Sequence, residues 1–539
     1  MSITPLIRIV QILVLLLAVT AAVGLVSARL KIPPSILLVI TGVALALAPG
    51  LPTLELAPEL VLLLVLPIVV YWSAVAMSWR EFRFNLRPIS QLAVGCVMFT
   101  TAAAAAAAHW LLGLSWPEGF VLGAIISPPD ALAPLSIARR LQLPRRILVI
   151  LEGEGLANDA TALILYRFAV VAVSLGAFSL GHAAGLFCVI VIGEVLWGIG
   201  VGWVMLRLRR WAADPSIEIT LSVLTPFLAY WPPEYLGGSG VLATVTVGLY
   251  VSWNGPRLIS PATRLQGVFF WDFLTYTIEG MVFLITGLQA RTLMAGIRSY
   301  SPRELVMSAA VVSAVVIAAR FAWMFPATYA PRWLSASLRR RDPSPPWQWP
   351  FALAFTGVRG IVSLAAALAL PLTIEDGAPF PHRDLILFLT FSVIMVTLVG
   401  QGLAMPSAMR ALGLARAGYR ERHADREAEF VARRKAVEAA VARLDQLIGE
   451  RDLTEESVAP LRRSYRDRLR HLERRSDGDD SHRKLTDLHE QLELLLLSAE
   501  RERINELSRA GQLKDEARRR IERELDLRDA QLRNLSAEK

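Results

Sequence analysis

The residues best suited to chemistry lie in one apolar stretch, LEGEGLANDATALILYRF at 151–168, which holds Asn158 and Asp159 side by side. An ionisable side chain at membrane depth is costly and by default suggests a functional site. Removal from water favours the protonated form of a carboxyl group, but a hard cation that arrives with other oxygen ligands can displace the proton. A proton and a monovalent cation can therefore compete for Asp159, with Asn158 supplying a carbonyl oxygen to the cation.

Such competition is by itself a mechanism of exchange, provided that the site is exposed in turn to the two sides of a membrane. Because Asp159 titrates and Asn158 does not, we expect one cation to replace one proton, which makes the cycle electroneutral. The alternative is that the two residues form a structural pair that caps a broken helix.

Asp130 is a further candidate ligand of the cation. It follows Ser127, Pro128 and Pro129 inside another apolar stretch. Two consecutive prolines remove backbone donors and disfavour α geometry, and broken helices in mid-membrane are typical of transporter sites. Two roles are open to Asp130: it neutralises the positive end of the half-helix that follows, or it binds the cation.

A third apolar stretch is interrupted by GVRG at 357–360. A buried guanidinium needs a carboxylate partner, or else the carbonyl groups at a helix C-terminus. We expect Glu154 to be the partner of Arg359, with Arg320 close by as a second cation. This structural ion pair would hold the scaffold of the site without touching the ion. Other acids in apolar stretches are expected to cap a helix, to be paired, or to line a cavity: Glu152, Glu194, Glu218 and Glu279.

The composition indicates a membrane protein, because only 19% of the 539 residues are charged, 54% are hydrophobic and the mean hydropathy is +0.46. One crossing needs about 20 apolar residues, a length that predicts an all-α fold with about thirteen transmembrane helices. These helices are expected near 5–28, 35–50, 59–79, 88–113, 117–139, 147–176, 183–207, 216–232, 237–253, 264–290, 303–330, 350–371 and 384–409.

Lys and Arg recur in alternate connections, and the connections between them hold few, the exceptions being Arg291, Arg298, Arg303 and Arg383. Arginines stand at 80–87, 139–146, 207–210 and 332–341, whereas 51–58, 114–118, 177–183 and 231–236 hold no Lys or Arg. Such residues accumulate in cytoplasmic loops, so we expect a multi-pass protein of the cell (inner) membrane with its N-terminus outside and its C-terminus in the cytoplasm. Loops of this kind also explain the net charge of +9 without a nucleic-acid partner.

The residue types exclude several classes of function. Cys96 and Cys188 both fall in apolar stretches, which excludes a disulfide framework and a cysteine-based metal site. The sequence contains no Walker A motif, no Cys/His metal cluster and no nucleophile elbow. We therefore expect neither an enzyme nor an ATP-driven pump, and no cofactor, since the cation and the proton are the substrates.

The character of the chain changes at Ala411, where the transmembrane domain of residues 1–410 gives way to a polar tail, 411–539. Leucines at helical spacing between Leu485 and Leu496, and a second helical pattern from about Leu513 to Leu532, predict a cytoplasmic helical hairpin or coiled coil. Its role is open between stabilising a dimer, regulating the membrane domain and simple packing.

The stretch at 151–168 resembles the bacterial sodium/proton exchangers of the monovalent cation:proton antiporter-one family. The same resemblance holds for SPPDA at 127–131, WREFRFNLRPI at 79–89, GGSGVLATVTVGLYV at 237–251, TGVRGIVSLAAALALP at 356–371 and ERELDL at 522–527. It implies thirteen helices in two inverted repeats, a mobile core layer with crossed, broken helices, and a homodimer formed through one helical layer. It also implies exchange of Na⁺, Li⁺ or K⁺ for H⁺, in the service of pH homeostasis and sodium tolerance, with Asn158 and Asp159 as the matching pair.

The sequence departs from the family pattern at three places. Gly155 stands where a serine is usual, so a hydroxyl one turn before Asp159 is missing. Pro129 replaces a common threonine, and the third helix lacks an acid after Leu66-Pro67. Cation affinity or selectivity can therefore differ from that of the family.

Two other functions compete with Na⁺/H⁺ antiport. A K⁺/H⁺ antiporter would have the same fold, and residue spacing does not separate the two. A gated cation channel or a pH-sensing membrane protein acting through its tail is the third candidate, but a channel needs a continuous polar pore. Here the polar groups cluster at mid-depth between apolar flanks.

Overall fold

The computed structural model describes residues 3–48, 56–175, 180–212, 214–297, 300–374, 377–451, 454–476, 480–510, 512–513 and 515–537. The predicted connections 51–58 and 177–183 lie partly outside these residues. Regular structure in the described part is helical, apart from one isolated bridge between Thr373 and Pro379. The prediction of an all-α fold is therefore confirmed. The chain divides into two compact units, residues 1–419 and 420–539.

The helices that begin in the first unit cover all thirteen predicted stretches, two of which are split into half-helices. They are α1 (Ile3–Leu30), α2 (Pro34–Leu47), α3 (Pro58–Ala76), α4 (Trp79–Phe84), α5 (Leu86–Leu112), α6 (Trp116–Ile126), α7 (Leu132–Arg140), α8 (Arg145–Leu175), α9 (Leu180–Trp211), α10 (Pro215–Tyr235), α11 (Val241–Leu258), α12 (Pro261–Leu288), α13 (Ala290–Gly296), α14 (Pro302–Leu334), α15 (Ala336–Arg341), α16 (Gln348–Phe355), α17 (Ile361–Leu368), α18 (Arg383–Ala411) and α19 (Leu414–Arg451).

Eight apolar segments in the described part are long enough to cross a membrane. They are formed by α1, α3, α5, α8, α9, α12 with α13, α14 and α18. The long helices pack in two groups. The core bundle consists of α5, α6, α8, α14, α16, α17 and α18, and the panel bundle of α1, α2, α3, α9, α10, α11 and α12.

The two split stretches break where the sequence removes helical hydrogen bonding. Pro128 and Pro129 stand between α6 and α7, and GVRG at 357–360 stands between α16 and α17. A proline lacks the amide that the helix ladder needs, and glycine weakens a helix interior. Both breaks lie in the core bundle. Its centre therefore contains backbone amide and carbonyl groups that lack their usual helical hydrogen bonds.

Small residues bring the helices of the panel bundle close together. A Cβ atom built on Gly287 of α12 would lie 2.2 Å from the carbonyl oxygen of Val39, and one built on Gly42 of α2 would lie 2.2 Å from that of Leu284. No side chain fits at such distances, and small residues at helix interfaces are the usual means of tight packing in membranes. The panel bundle therefore depends on glycine at both positions.

Glu194 of α9 binds the start of α11 and is one of the intramembrane acids of the sequence. Its carboxylate accepts hydrogen bonds from four backbone amides, at distances of 2.7 to 3.4 Å: those of Ser239, Gly240, Leu242 and Ala243. An anion at a helix N-terminus satisfies donors that the helix itself cannot pair. Glu194 is thus a structural group, as expected.

Three of the connections that carry arginines, 80–87, 139–146 and 332–341, meet at one end of the first unit, which we call the arginine-rich end. Arg145 at the start of α8 binds Glu81 of α4 at 2.6 Å, and Arg146 binds Asn85 at 3.0 Å. At the opposite end, His382 before α18 contacts Glu118 of α6 at 3.1 Å. For these loops, the alternation predicted from the sequence corresponds to the two ends of the helices.

The described part of the second unit is helical. It contains α20 (Glu455–Ser476), α21 (Asp480–Arg509) and α22 (Asp515–Ala537), and α21 packs against α22. Leu497 and Leu525 are buried, and Arg501 binds Asp526 at 2.7 Å and Asp529 at 3.3 Å. The two helices pack against each other as a hairpin. The cytoplasmic helical domain that the sequence indicates stays a prediction.

Candidate functional site

The two helix breaks cross in the centre of the core bundle. The backbone amide of Asp130 donates a 2.6 Å hydrogen bond to the carbonyl oxygen of Val358, so one break is bonded directly to the other. Gly360 makes this approach possible, because a Cβ atom there would lie 1.8 Å from Oδ2 of Asp130. The sequence predicted both breaks, and the structure brings them together.

Charged side chains at the crossing match the ends of the four half-helices. Asp130 accepts a hydrogen bond from the amide of Leu132 at 2.9 Å and lies beside Gly360, so its carboxylate stands at the N-termini of α7 and α17. Arg359 donates to the carbonyl oxygen of Ile126, the last residue of α6, at 2.9 Å, and to that of Gly357, which follows the end of α16. Each charge opposes the partial charge of the helix ends that it faces.

The predicted partner of Arg359 is wrong. Glu154 is bound by Arg320 through two hydrogen bonds of 2.5 and 2.8 Å, and both side chains are at most 2% exposed. Arg320 also donates to the carbonyl oxygen of Leu353 near the end of α16. Arg359 takes the alternative that the sequence left open, the carbonyl groups at a helix C-terminus. Both arginines lie in apolar stretches, and only tertiary packing decides which one reaches Glu154.

Asn158 is fully buried and faces the first break. Its Nδ2 atom donates a 2.6 Å hydrogen bond to the carbonyl oxygen of Pro129, while its Oδ1 atom has no hydrogen-bond partner in the described part of the chain. The side chain therefore satisfies a carbonyl group that the break leaves without a helical partner. It does not line the cavity that contains Asp159.

Asp159 lies at a cavity of about 350 Å³ between the two bundles. Asp130 and Glu279 line the same cavity, as do Glu152 and Arg139. Because Arg139 is 59% exposed and pairs with Glu152 at 2.6 Å, the cavity reaches the surface at the arginine-rich end. The cavity connects Asp159 with this end of the protein.

The carboxyl group of Asp159 is half-buried and makes no hydrogen bond or ion pair with any residue that the structure describes. Asp130 is close enough to Asp159 and to Glu279 to repel both electrostatically when the groups are charged. One oxygen of Asp130 caps α7, and the other, Oδ2, has no hydrogen-bond partner among the described residues. The site thus presents several oxygen atoms without fixed donors, the ligand type that hard cations prefer.

One wall of this cavity was only partly foreseen. Asp272, Thr275 and Glu279 of α12 all line it, and Nε1 of Trp72 donates to Asp272 at 2.9 Å. The three residues are spaced three and four apart, which places them on one helical face. That spacing was visible in the sequence, but it does not say which neighbouring helix the face meets.

The residues that depart from the family pattern lie around the same cavity. A Cβ atom at Gly155 would lie 2.4 Å from the Cβ atom of Ala131, so the methyl group of Ala131 occupies the space of the missing serine side chain. Leu66 of the third predicted helix lines the cavity, while the hydroxyl group of Tyr71 accepts a hydrogen bond from Arg209. The described part of that helix contributes no carboxylate to the cavity.

A polar contact joins the two bundles beyond Asp159, toward the opposite end. Arg167 lies eight residues after Asp159 on α8, and its guanidinium donates a hydrogen bond to Oε1 of Glu234 on α10. Neither residue lines the cavity of Asp159. The core and panel bundles are therefore in contact on the side of Asp159 away from the arginine-rich end.

Comparisons with known proteins agree on one family. Residues 13–411 match the transmembrane domain of the sodium/hydrogen exchanger family. An uncharacterised Na(+)/H(+) exchanger of Mycobacterium tuberculosis is 36% identical over 96% of each chain. A sodium, potassium, lithium and rubidium/H(+) antiporter of Bacillus pumilus is 31% identical over 85% of this chain and 69% of that protein. The sodium proton antiporter MjNhaP1 of Methanocaldococcus jannaschii, 17% identical, has the same fold, with a TM-score of 0.61 over 76% of this chain and 99% of the other.

The buried pair of Glu154 and Arg320 yields a prediction about stability. Glu154→Gln removes one partner and leaves an uncompensated guanidinium in the core, at a cost of about 3–5 kcal/mol. We expect a large loss of folded protein and a lower unfolding temperature in detergent. Glu152→Gln is the matched control, since its exposed pair with Arg139 contributes at most about 1 kcal/mol. Equal stability of the two variants would contradict a structural role for the buried pair.

Proposed function

Because the chain belongs to the sodium/hydrogen exchanger family and is a cation:proton antiporter, not a catalyst, we propose that Asp159 is the residue at which cation and proton compete. The observation that carries this proposal is its carboxyl group, which lines a cavity open at one end and has no fixed partner in the described structure. An isolated carboxylate away from bulk water needs a counter-charge. A proton or a metal cation supplies it.

Asp159 acts with its neighbours in this proposal. The free oxygen of Asp130 and the carboxyl group of Asp159 are the charged ligands of the cation, and water in the cavity completes its shell. Asn158 holds the carbonyl group of Pro129, and so fixes the shape of the break beside the ion, with Oδ1 as its remaining acceptor. No cofactor takes part, since the cation and the proton are the substrates.

Na⁺ is the first candidate substrate, because the relatives are named as Na⁺/H⁺ exchangers. K⁺ and Li⁺ are the alternative substrates, each exchanged for H⁺. The Bacillus pumilus relative is named for sodium, potassium, lithium and rubidium, which supports them. The cavity of about 350 Å³ leaves room for a partly hydrated ion and does not by itself select one of them.

The proposed setting is the cell membrane. Thirteen crossings, two of them the pairs of half-helices, would place the N-terminus outside and the helical tail in the cytoplasm. The arginine-rich end then faces the cytoplasm, in keeping with the positive-inside rule. The panel bundle, with its tightly packed α2 and α12, is the proposed layer for a homodimer, and the core bundle is the proposed mobile layer.

In this arrangement the structure is the inward-facing state. The cavity joins Asp159 to the cytoplasmic end, and the contact of Arg167 with Glu234 lies on the outer side. For Asp159 to face the outside, α8 must move relative to α10, and this contact must break. Transport would then alternate between a state with the contact and a state without it.

Replacement of the titrating group tests the assignment. Asp159→Asn keeps the size of the side chain but can neither bind a proton nor supply a charge, so we expect Na⁺-driven proton flux in proteoliposomes to fall to the level of protein-free vesicles. Asp384→Asn, at an exposed acid at the start of α18, is the control and retains wild-type flux. Wild-type exchange by folded Asp159→Asn protein would refute the assignment.

Stoichiometry gives a second prediction. If one cation replaces one proton, no net charge crosses the membrane, and an imposed potential of about 100 mV changes the exchange rate by less than about twofold. Movement of one net charge would couple about 2.3 kcal/mol to that potential. Strong voltage dependence would show that a second acid of the cavity, Asp130 or Glu279, also carries charge.

Crosslinking tests the proposed outer contact. In a Cys188→Ser background, Arg167→Cys with Glu234→Cys is joined by a short, reducible thiol crosslinker, which ties α8 to α10. We expect exchange to drop at least tenfold and to return on reduction. The control is Glu118→Cys with His382→Cys, which joins two neighbours within the core bundle and leaves exchange intact. Full exchange by the crosslinked first pair would rule out separation of these helices during transport.

A further inference from the structure

Three arginines from three helices converge on one carboxylate at the arginine-rich end. Arg87 of α5, Arg146 of α8 and Arg332 of α14 form what we call the arginine cluster. Each donates to Asp342, which follows α15, at 3.0, 2.8 and 2.7 Å respectively. The cluster and Asp342 together carry a net charge of +2. The nearby acid Glu81 is already bound by Arg145.

No second carboxylate among the described residues is paired with the cluster, so this excess charge is not balanced. Arg332 is only 5% exposed, and its guanidinium is engaged by Asp342 and by the carbonyl oxygen of Thr328. Nη1 of Arg87 is buried and has no hydrogen-bond partner among the described residues. A buried donor that stays unpaired costs about 1–3 kcal/mol. The site therefore favours an additional anion.

Asp342 itself reflects the concentration of positive charge. Partial burial alone would raise the pKa of its carboxyl group, but hydrogen bonding and attraction from Arg146, Arg332 and Arg87 hold that pKa below its usual value. Asp342 is thus charged near neutral pH and already neutralises one of the three guanidinium groups. Among the described residues, no other carboxylate pairs with the remaining two.

A small cavity adjoins the cluster and mixes charged with apolar walls. Its volume is about 40 Å³, and all three arginines line it together with Leu92, Met324 and Trp349. That volume is larger than one water molecule needs. Arginine forks match the oxygens of phosphate, and basic pockets between helices at a membrane surface suit lipid head groups.

We propose that the arginine cluster is a binding site for a phosphate group. The apolar wall beside the arginines suits the glycerol and acyl part of an anionic phospholipid, while the charge alone would also accept inorganic phosphate. Because the cluster joins the first turn of α8 to α5 and α14, a bound phosphate ties together the end of the core bundle that carries Asp159. The site is separate from the cavity that contains Asp159, because none of the three arginines lines that cavity.

The test measures ligand-dependent stability of the purified full-length protein in delipidating detergent. Phosphatidylglycerol, phosphatidylcholine and inorganic phosphate are titrated separately, and the unfolding temperature is followed. We expect a saturable rise of about 2–4 °C with phosphatidylglycerol. Native mass spectrometry should detect one bound phosphatidylglycerol molecule per chain, in addition to any lipids bound elsewhere on the protein. If the unfolding temperature rises with inorganic phosphate alone, the site binds free phosphate and not a lipid. If it rises with neither phosphatidylglycerol nor inorganic phosphate, the proposal is overturned.

Variants separate the cluster from general attraction to a charged surface. Arg87→Gln removes the unpaired donor while Asp342 keeps its other two partners, and the rise with ligand should disappear. Arg140→Gln, at an exposed arginine of the same end, should leave the rise unchanged. Equal responses of wild-type, Arg87→Gln and Arg140→Gln protein would overturn the proposal.

A variant that should strengthen ligand binding separates a binding role of the cluster from a purely structural one. Asp342→Asn removes the internal competitor of the ligand, so the concentration of phosphatidylglycerol needed for half of the rise should fall at least threefold, even if the ligand-free protein is less stable. If Arg87→Gln protein does not fold, the result for Asp342→Asn tests the proposal by itself. An unchanged or higher half-point for Asp342→Asn would contradict a phosphate site at the cluster.

Discussion

The structure depends on keeping the carboxyl group of Asp159 without a permanent partner. Two buried arginines, Arg320 and Arg359, lie in the same bundle as Asp159, and a guanidinium is a common partner of a buried carboxylate. Arg320 is instead bound to Glu154 by two hydrogen bonds, and Arg359 is bound to the carbonyl groups of Ile126 and Gly357. Because both guanidiniums are bound elsewhere, neither neutralises Asp159, and a proton or a cation that enters the cavity can balance its charge.

The crossed helix breaks provide this arrangement at low electrostatic cost. A break in mid-membrane exposes carbonyl and amide groups that must find partners. Asp130 stands at two helix starts and Arg359 at two helix ends, while Asn158 satisfies the carbonyl group of Pro129. The polar residues around the cavity that contains Asp159 therefore have two effects. They stabilise the broken backbone, and they leave Oδ2 of Asp130 and the carboxyl group of Asp159 without a hydrogen-bond donor in the described part of the chain.

Much of this site could be predicted from the sequence, because its signals are local and energetic. A carboxylate in an apolar stretch is costly wherever it lies, which singled out Asp159 and Asp130, and the prolines and glycines marked both breaks. The partner of Glu154 could not be predicted, since Arg320 and Arg359 are equally buried in apolar stretches and differ only in which helix they face. The face of α12 with Asp272 and Glu279 had a regular spacing, but sequence spacing does not say that it meets α8. The missing hydroxyl at Gly155 also has its reason in tertiary contact, because Ala131 occupies that space.

The central claim is that a proton leaves Asp159 when a cation binds, and proton release on binding tests it without any need for transport. Purified protein in a weakly buffered solution near neutral pH receives Na⁺, Li⁺ or K⁺ in turn, and the liberated protons are counted with a pH indicator. The account predicts saturable release that approaches one proton per chain at a pH where the empty site is protonated, and none from Asp159→Asn protein. Cation binding by the wild-type protein without proton release, or equal release from the variant, would contradict it.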